Sequence, residues 1–264
     1  MDVVQGVDRL GPAHGRLFVV VGVFDGLHRG HAYLLRRLVR EAGRRNARPA
    51  VITFDHHPDE VLTGTAPPLL IDPEERVARL ARAGVAVTVV QQFDAALRAT
   101  PYDAFVAMIT TRAELAGFLM TPDAAFGYER RGTPATLAEL GRTGPDRFDV
   151  AVVPPLYVDG AVVRSSDIRA AIAAGDLDTA RGLLGRRHAI VGEPGEGSVL
   201  RTPMPVALPP EGQYAARIGR PLDGHGGTGR LTVVDVRNGA VRVVGGRPRG
   251  DRVRVAFAGS AVGG

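Results

Sequence analysis

The 264-residue chain contains no cysteine, and a reading of its sequence finds no lysine, so that all 33 of its basic Lys/Arg positions are arginine. The first absence excludes disulfides, thiolate metal sites and cysteine nucleophiles. The second excludes a Walker A loop, the phosphate-binding lysine of protein kinases and Schiff-base chemistry, all of which need an amine. No apolar run is long enough to span a bilayer. The opening MDVVQGVDRLG has no basic region followed by an apolar core, so neither a membrane partner nor a secretory leader is expected, and the expected location is cytoplasmic. The arginines are scattered among 28 acidic residues, and no stripe interleaves them with aromatics. A formal charge of +5 and a pI near 10.3 therefore do not indicate a nucleic-acid partner.

What is present begins with Val19 to His31, VVVGVFDGLHRGH. Leu17 to Val23 is continuously apolar and β-branched, which predicts a parallel strand covered on both faces. Gly22, Gly26 and Gly30 permit tight turns and a close approach of backbone to ligand. From His31 onward Leu34, Leu35, Leu38 and Val39 recur with helical period, which sets His28 and His31 at or just before a helix start. Free N–H groups and the positive dipole end favour an anion there, such as a nucleotide's phosphates.

Downstream, Ala50–Phe54, Val85–Val90, Gly117–Met120 and Phe148–Val153 read as strands. Asp72-Pro73, with Glu75 closing a capping box, starts a helix. Thr100-Pro101 and Thr133-Pro134 give the same cap-then-proline signal. Helices near Ser166–Ala174 and Asp176–Leu184 follow. The alternation predicts an α/β fold with a doubly wound parallel sheet, whose ligands bind beyond the carboxyl ends of the strands. The Gly- and Pro-rich segment Gly192–Gly212 marks a change of architecture. Short strands near Gln213–Ile218, Arg230–Val236, Ala240–Val244 and Arg252–Phe257, separated by Gly-rich turns, then read as a small antiparallel barrel or sandwich. Two domains are expected, 1–186 and 187–264.

GVFDGLHRGH resembles the first motif of the bacterial FAD synthetases, and more broadly carries the HxGH signature of the nucleotidyltransferase superfamily. The resemblance runs from about Leu17 to Gly192 and implies a Rossmann-like nucleotidyltransferase module followed by a riboflavin-kinase-like β-barrel. It implies catalysis by His28 and His31 at the α-phosphate of ATP. Gly22, Phe24, Asp25 and Gly30 fall on the ATP side, Asp25 as an orienting residue or indirect Mg²⁺ partner. A second string, TFDHHPDEVL, sets His57 and Pro58 in register with the family's TF(D/E)PHP and departs from it at His56. A third, TPDAAFGYERRG, resembles GE(N/D)FxFGxxxxG; it aligns Asp123, Phe126, Gly127 and Gly132, and substitutes Ala124 for an aromatic. His57, Pro58, Asp123, Phe126 and Gly127 are thereby assigned to the acceptor side. A fourth string, VRSSDIR, resembles VSSTxIR. Ser165, Ser166 and Arg169 would hold the leaving pyrophosphate, Arg164 replaces a serine, and a serine N-cap also fits.

The expected activity is transfer of AMP from ATP to FMN, giving FAD and pyrophosphate, with Mg²⁺ brought by the triphosphate and no carboxylate cage for a metal in the sequence. The kinase-like part departs furthest. Arg201-Thr202-Pro203-Met204-Pro205-Val206 stands where the family's GxPTAN binds ATP and Mg²⁺, and Thr232 stands where its catalytic glutamate falls. LPPEGQYAARI still resembles the barrel strand LPPxGVYAVRV. A barrel without kinase activity is expected. His56, Ala124 and Arg164 keep open another phosphorylated acceptor or CTP as donor, and the altered barrel keeps open a non-catalytic flavin or nucleotide binder. The oligomeric state is not legible.

Overall fold

The computed structural model describes residues 1–221, 229–246 and 248–261. The chain runs β1 (Asp2–Gln5), β2 (Leu17–Val21), α1 (Arg29–Arg44), β3 (Arg48–Phe54), α2 (Pro58–Thr63), α3 (Pro73–Arg82), β4 (Val87–Gln91), α4 (Ala95–Ala99), α5 (Tyr102–Thr110), β5 (Leu115–Met120), α6 (Pro134–Thr143) and β6 (Asp149–Val152). It continues through β7 (Tyr157–Val158), β8 (Ala161–Val162), α7 (Ser165–Ala173), α8 (Leu177–Leu184), β9 (Ala189–Pro194), β10 (Val199–Arg201), β11 (Gly212–Gly219), β12 (Arg230–Arg237), β13 (Ala240–Val243) and β14 (Val253–Ala261). Two compact units result. One holds Met1–Phe24, His31–Pro67 and Leu80–Leu156; the other holds Asp25–Gly30, Pro68–Arg79 and the chain from Tyr157 onward. The barrel strands begin at Ala189, but the second unit also takes in Asp25–Gly30, Pro68–Arg79 and the chain from Tyr157, so the division falls after Leu156 and not at the expected 186.

In the first unit six strands pair in the order β1-β4-β3-β2-β5-β6, every pair parallel. The sheet grows outward from β2, with β3 on one side and β5 on the other. The topological switch point therefore lies beyond the carboxyl ends of β2 and β5. β2 is buried along almost its whole length because it is the continuous apolar run LFVVV. Phe105, Phe118, Phe126 and Phe148 interlock edge-on or tilted at centroid distances of 5.3 to 5.6 Å. Strand β1 has no counterpart among the sequence expectations, since four residues of which three are exposed carry too little pattern.

Caps follow local chemistry, with two departures from expectation. Thr133 caps α6 reciprocally with Thr136, and Asp72 accepts from the Glu74 and Glu75 amides at 3.1 Å. The Glu75 carboxylate pairs with Arg79 and Arg254. Thr100 does not cap α5, whose N-cap is Pro101. An unforeseen helix, α4, capped by Asp94, ends on Thr100, and the Thr100 hydroxyl donates back to the Ala96 carbonyl. The Thr100-Pro101 signal does mark a helix start, with Pro101 in place of Thr100 as the cap.

The second unit is built on a closed antiparallel barrel in the order β10-β13-β12-β11-β14-β9. Tyr214, Val234, Val255 and Phe257 fill its interior. Its first two strands, β9 and β10, lie within or before the stretch read from sequence as a Gly- and Pro-rich connection. Gly192 and Pro194 are accommodated in β9, where Gly192 pairs with Val253. The Gly-rich turn expected between β11 and β12 falls mostly outside the described residues. Leu70, Ile168, Ile172, Leu184 and Ala207 form a second apolar cluster under α7 and α8. Arg252 pairs with Asp72 at 2.6 Å and also with Glu74, and Arg254 pairs with Glu75 at 2.9 Å, tying the start of α3 to β14.

Candidate active site

The turn after β2 is backbone-strained. Phe24, Gly26 and Leu27 take φ values of +54°, +79° and +40°, conformations that non-glycine residues adopt only when surrounding contacts hold them. Those contacts come from far along the chain. Asp25, 3% exposed, accepts from the Leu70 amide at 2.9 Å and from Arg169 Nη2 at 2.6 Å. Arg169 Nε donates to the Pro68 carbonyl at 2.8 Å, and Ser165 Oγ donates to the Asp25 carbonyl at 3.1 Å. Arg186 Nη2 donates to the Gly26 carbonyl at 2.6 Å and Nη1 to the Leu27 carbonyl at 3.3 Å.

Two of the four expected strings thus meet: Ser165 and Arg169 converge on Asp25, some 140 residues earlier. The cap of α7 is Arg164, without a side-chain cap bond, and Ser165 and Ser166 are its first two helical residues. The expected serine N-cap is therefore corrected: Ser165 Oγ is engaged by the turn, and Ser166 Oγ by Asp167 at 3.2 Å.

His28 is 5% exposed. Burial, reinforced by the Arg186 charge and opposed by Asp167, lowers its pKa to about 4. It is a neutral imidazole at physiological pH, able to donate one N–H. Gly30 makes room for it, since a Cβ there would approach the His28 ring to 3.1 Å. Burial and the neighbouring Arg79 also lower the Arg186 pKa, but a guanidinium stays charged at physiological pH. His31, in the first turns of α1, faces the Phe24 ring at 5.1 Å.

Two cavities of the parallel-sheet unit adjoin the carboxyl ends of its strands. One, of about 620 Å³, is lined largely by aromatic and apolar groups including Phe54, Phe93, Phe105, Phe126 and Tyr128, together with His57, Pro58, Gly127, Arg98 and Arg130. The other, of about 300 Å³, is lined by Gly22, Phe24, His31, Thr121, Asp123, Ala124 and Phe126 among others. It contains the residues that follow β2 and β5, and so occupies the switch point. The structure thus brings His57, Pro58, Phe126 and Gly127 together, and sets Asp123 and Ala124 with Gly22, Phe24 and His31 instead. Asp123 accepts from Thr121 Oγ1 at 2.8 Å. His57 caps α2 by accepting from the Asp59 amide, which directs its proton to Nε2 in the neutral ring. Gly127 is required in place: its φ is +75°, and a Cβ would meet the Tyr102 backbone at 2.6 Å.

No group of three or more His, Asp or Glu side chains converges as a cation site among the described residues, and Asp25 is engaged by Arg169 and the Leu70 amide. The described residues therefore form no carboxylate cage for Mg²⁺. No helix among the described residues is long and apolar enough to cross a membrane. Arg186 is a turn-holding residue that sequence reasoning missed. Its Leu-Gly-Arg-Arg-His context carries no periodicity or cap signal, and only its contacts with the turn reveal it.

A parallel sheet with a glycine-rich, histidine-bearing turn at its switch point, followed by an antiparallel barrel, defines a nucleotidyltransferase-like α/β protein with a second, β domain. A family model described as FAD synthetase matches residues 11–167, more than half of the chain. The chain belongs to the FAD synthetase family. It is similar to the bifunctional riboflavin kinase/FMN adenylyltransferase of Pseudomonas fluorescens, at 31% identity over 193 residues, covering 73% of this chain and 61% of that protein. The enzyme of the same name from Haemophilus influenzae is 29% identical over 204 residues, with 76% and 65% covered. The matched part thus spans less than two thirds of these relatives' lengths. A Streptococcus pneumoniae structure described as a macrolide-efflux protein superposes with a TM-score of 0.78 over 98% of this chain and 89% of that one. At 22% identity it shows a shared fold.

Proposed function

We propose that this chain is an FMN adenylyltransferase that joins the AMP moiety of ATP to FMN and releases pyrophosphate. The observation that carries the reading is the convergence of Ser165 and Arg169 on Asp25, which locks two strings resembling one family's nucleotide motifs into a single network around the strained turn. Residues 1–186 supply the transferase module, and residues 187–264 a reduced kinase-like barrel.

An oxygen of the FMN phosphate attacks the α-phosphorus of ATP in line, and the bond to the bridging oxygen of the β-phosphate breaks. The protein's part is to position two anions and stabilise the charge that develops. His28, neutral and buried, donates a hydrogen bond to the α-phosphate, and His31 does the same from the next turn. Ser165, Ser166 and Arg169 receive the leaving pyrophosphate, with Arg169 moving part of its fork from the Pro68 carbonyl to the phosphate. Gly22, Phe24 and Gly30 shape the ATP side. The aromatic cavity with His57, Pro58, Phe126 and Gly127 suits a flat, apolar ring system such as isoalloxazine. Mg²⁺ accompanies the nucleotide. The barrel performs no riboflavin phosphorylation: Thr232 offers no carboxylate and gives its hydroxyl to the Val244 carbonyl.

Incubating the purified chain with ATP, Mg²⁺ and FMN is the test. Appearance of FAD and pyrophosphate in equal amounts supports the reading, and their absence with FMN bound would leave a binding protein in its place.

A further inference from the structure

A cavity of about 200 Å³ in the barrel unit is lined by Arg186, Arg187, Arg217, Arg220 and Arg254, with Gly219, Gly229 and Ala256. Five of its eight lining residues are arginine, against 33 in 264 for the chain, so general arginine usage does not account for it. Among the described residues no carboxylate lines it. Arg254 is answered from outside by Glu75 at 2.9 Å, and Arg217 donates to the Gly229 carbonyl at 3.2 Å. Arg187 Nε is shielded from solvent with no hydrogen-bond partner. Clustered guanidiniums around one small volume, one with a buried donor left over, are stabilised by an oxyanion that accepts from several forks at once. The volume is below the usual range for whole organic ligands, and it accommodates a phosphate or diphosphate group. None of residues 201–206, the stretch in register with the kinase ATP motif, lines it.

We propose that this arginine pocket of the barrel binds a small phosphate-bearing anion, a monophosphate or diphosphate group. The site is independent of the transferase reading. The full chain, ¹⁵N-labelled and without ATP, is titrated with sodium phosphate, sodium pyrophosphate, a nucleoside 5′-monophosphate and, at matched ionic strength, sodium chloride. The amide signals of Arg187, Gly219 and Ala256 are followed, so binding at the transferase site is not what is read. Expected are saturable shifts of these signals with the oxyanions and not with chloride, and a nucleotide that binds no tighter than pyrophosphate. Arg217→Gln with Arg220→Gln, at two exposed positions, should raise the dissociation constant about tenfold or more, with an unchanged melting temperature confirming the fold. Signals that move no more than with chloride overturn the proposal, as does an unchanged dissociation constant in the double variant. A nucleotide binding tenfold tighter than pyrophosphate overturns the assigned size of the ligand.

Discussion

At the residue scale the pairing of Asp25 with Arg169 joins stability to chemistry. Arg169→Ala leaves a carboxylate buried without its guanidinium, which is expected to destabilise the chain by roughly 3 kcal/mol or more. Urea unfolding checks this, and adding Asp25→Asn should recover part of the loss, because the buried charge that lost its guanidinium is then gone. The histidines behave differently. His28→Ala or His31→Ala should lower turnover by about two orders of magnitude while shifting ATP affinity only slightly, since donors used chiefly in the transition state raise kcat without tightening the ground state. Comparing kcat with ATP binding by calorimetry separates the two effects, and near-normal turnover in both variants would remove the histidines from the mechanism.

On the proposed reading, elements carry the acceptor side. The loop from Thr121 to Gly132 depends on Gly127, and Gly127→Ala forces a Cβ against the Tyr102 backbone in a left-handed conformation. A loss of roughly 2 kcal/mol or more is expected in thermal or urea unfolding. Phe126→Ala removes a wall shared by both cavities, so the KM for FMN should rise several-fold more than that for ATP. Much at this scale was legible in the sequence: β2, β3 and β5 through their apolar runs, α6 through Thr133-Pro134, and the turn of His28 and His31 through its glycines. The rest depended on partners distant in sequence. No local pattern announces that Asp123 shares a cavity with His31 and not with His57, or that Arg186 holds the Gly26 carbonyl.

Across the whole molecule, buried histidines set the response to acid. His28 and His188 each have a pKa lowered to about 4, chiefly by burial. His188 is stacked on Phe257 and its Nε2 lies 2.7 Å from the Ala207 carbonyl. Folding therefore favours the neutral rings, and the unfolded chain binds more protons between about pH 6.5 and 4. Their contribution is complete above pH 6.5 and is lost as pH falls through 4, roughly 2 kcal/mol per histidine by pH 5. Melting temperatures measured at pH 7.5 and 5 should diverge, and His188→Gln should narrow that difference. At the same scale, riboflavin with ATP should yield no FMN, and any appreciable phosphorylation would overturn the view of the barrel as kinase-inactive.

The tie between β14 and the start of α3 governs how such a barrel can erode through descent. Arg252 and Arg254 hold Asp72, Glu74 and Glu75, and a few residues upstream the Pro68 carbonyl and the Leu70 amide hold Arg169 and Asp25. A lineage can change side chains at Thr202–Val206 or at Thr232 while keeping the backbone bond from the Leu69 amide to the Pro205 carbonyl, which ties that stretch to the same segment. It cannot discard β14 without loosening the segment against which Asp25 is fixed. For Asp25, substitution of barrel side chains is thus the mild change and loss of the barrel's last strand the severe one.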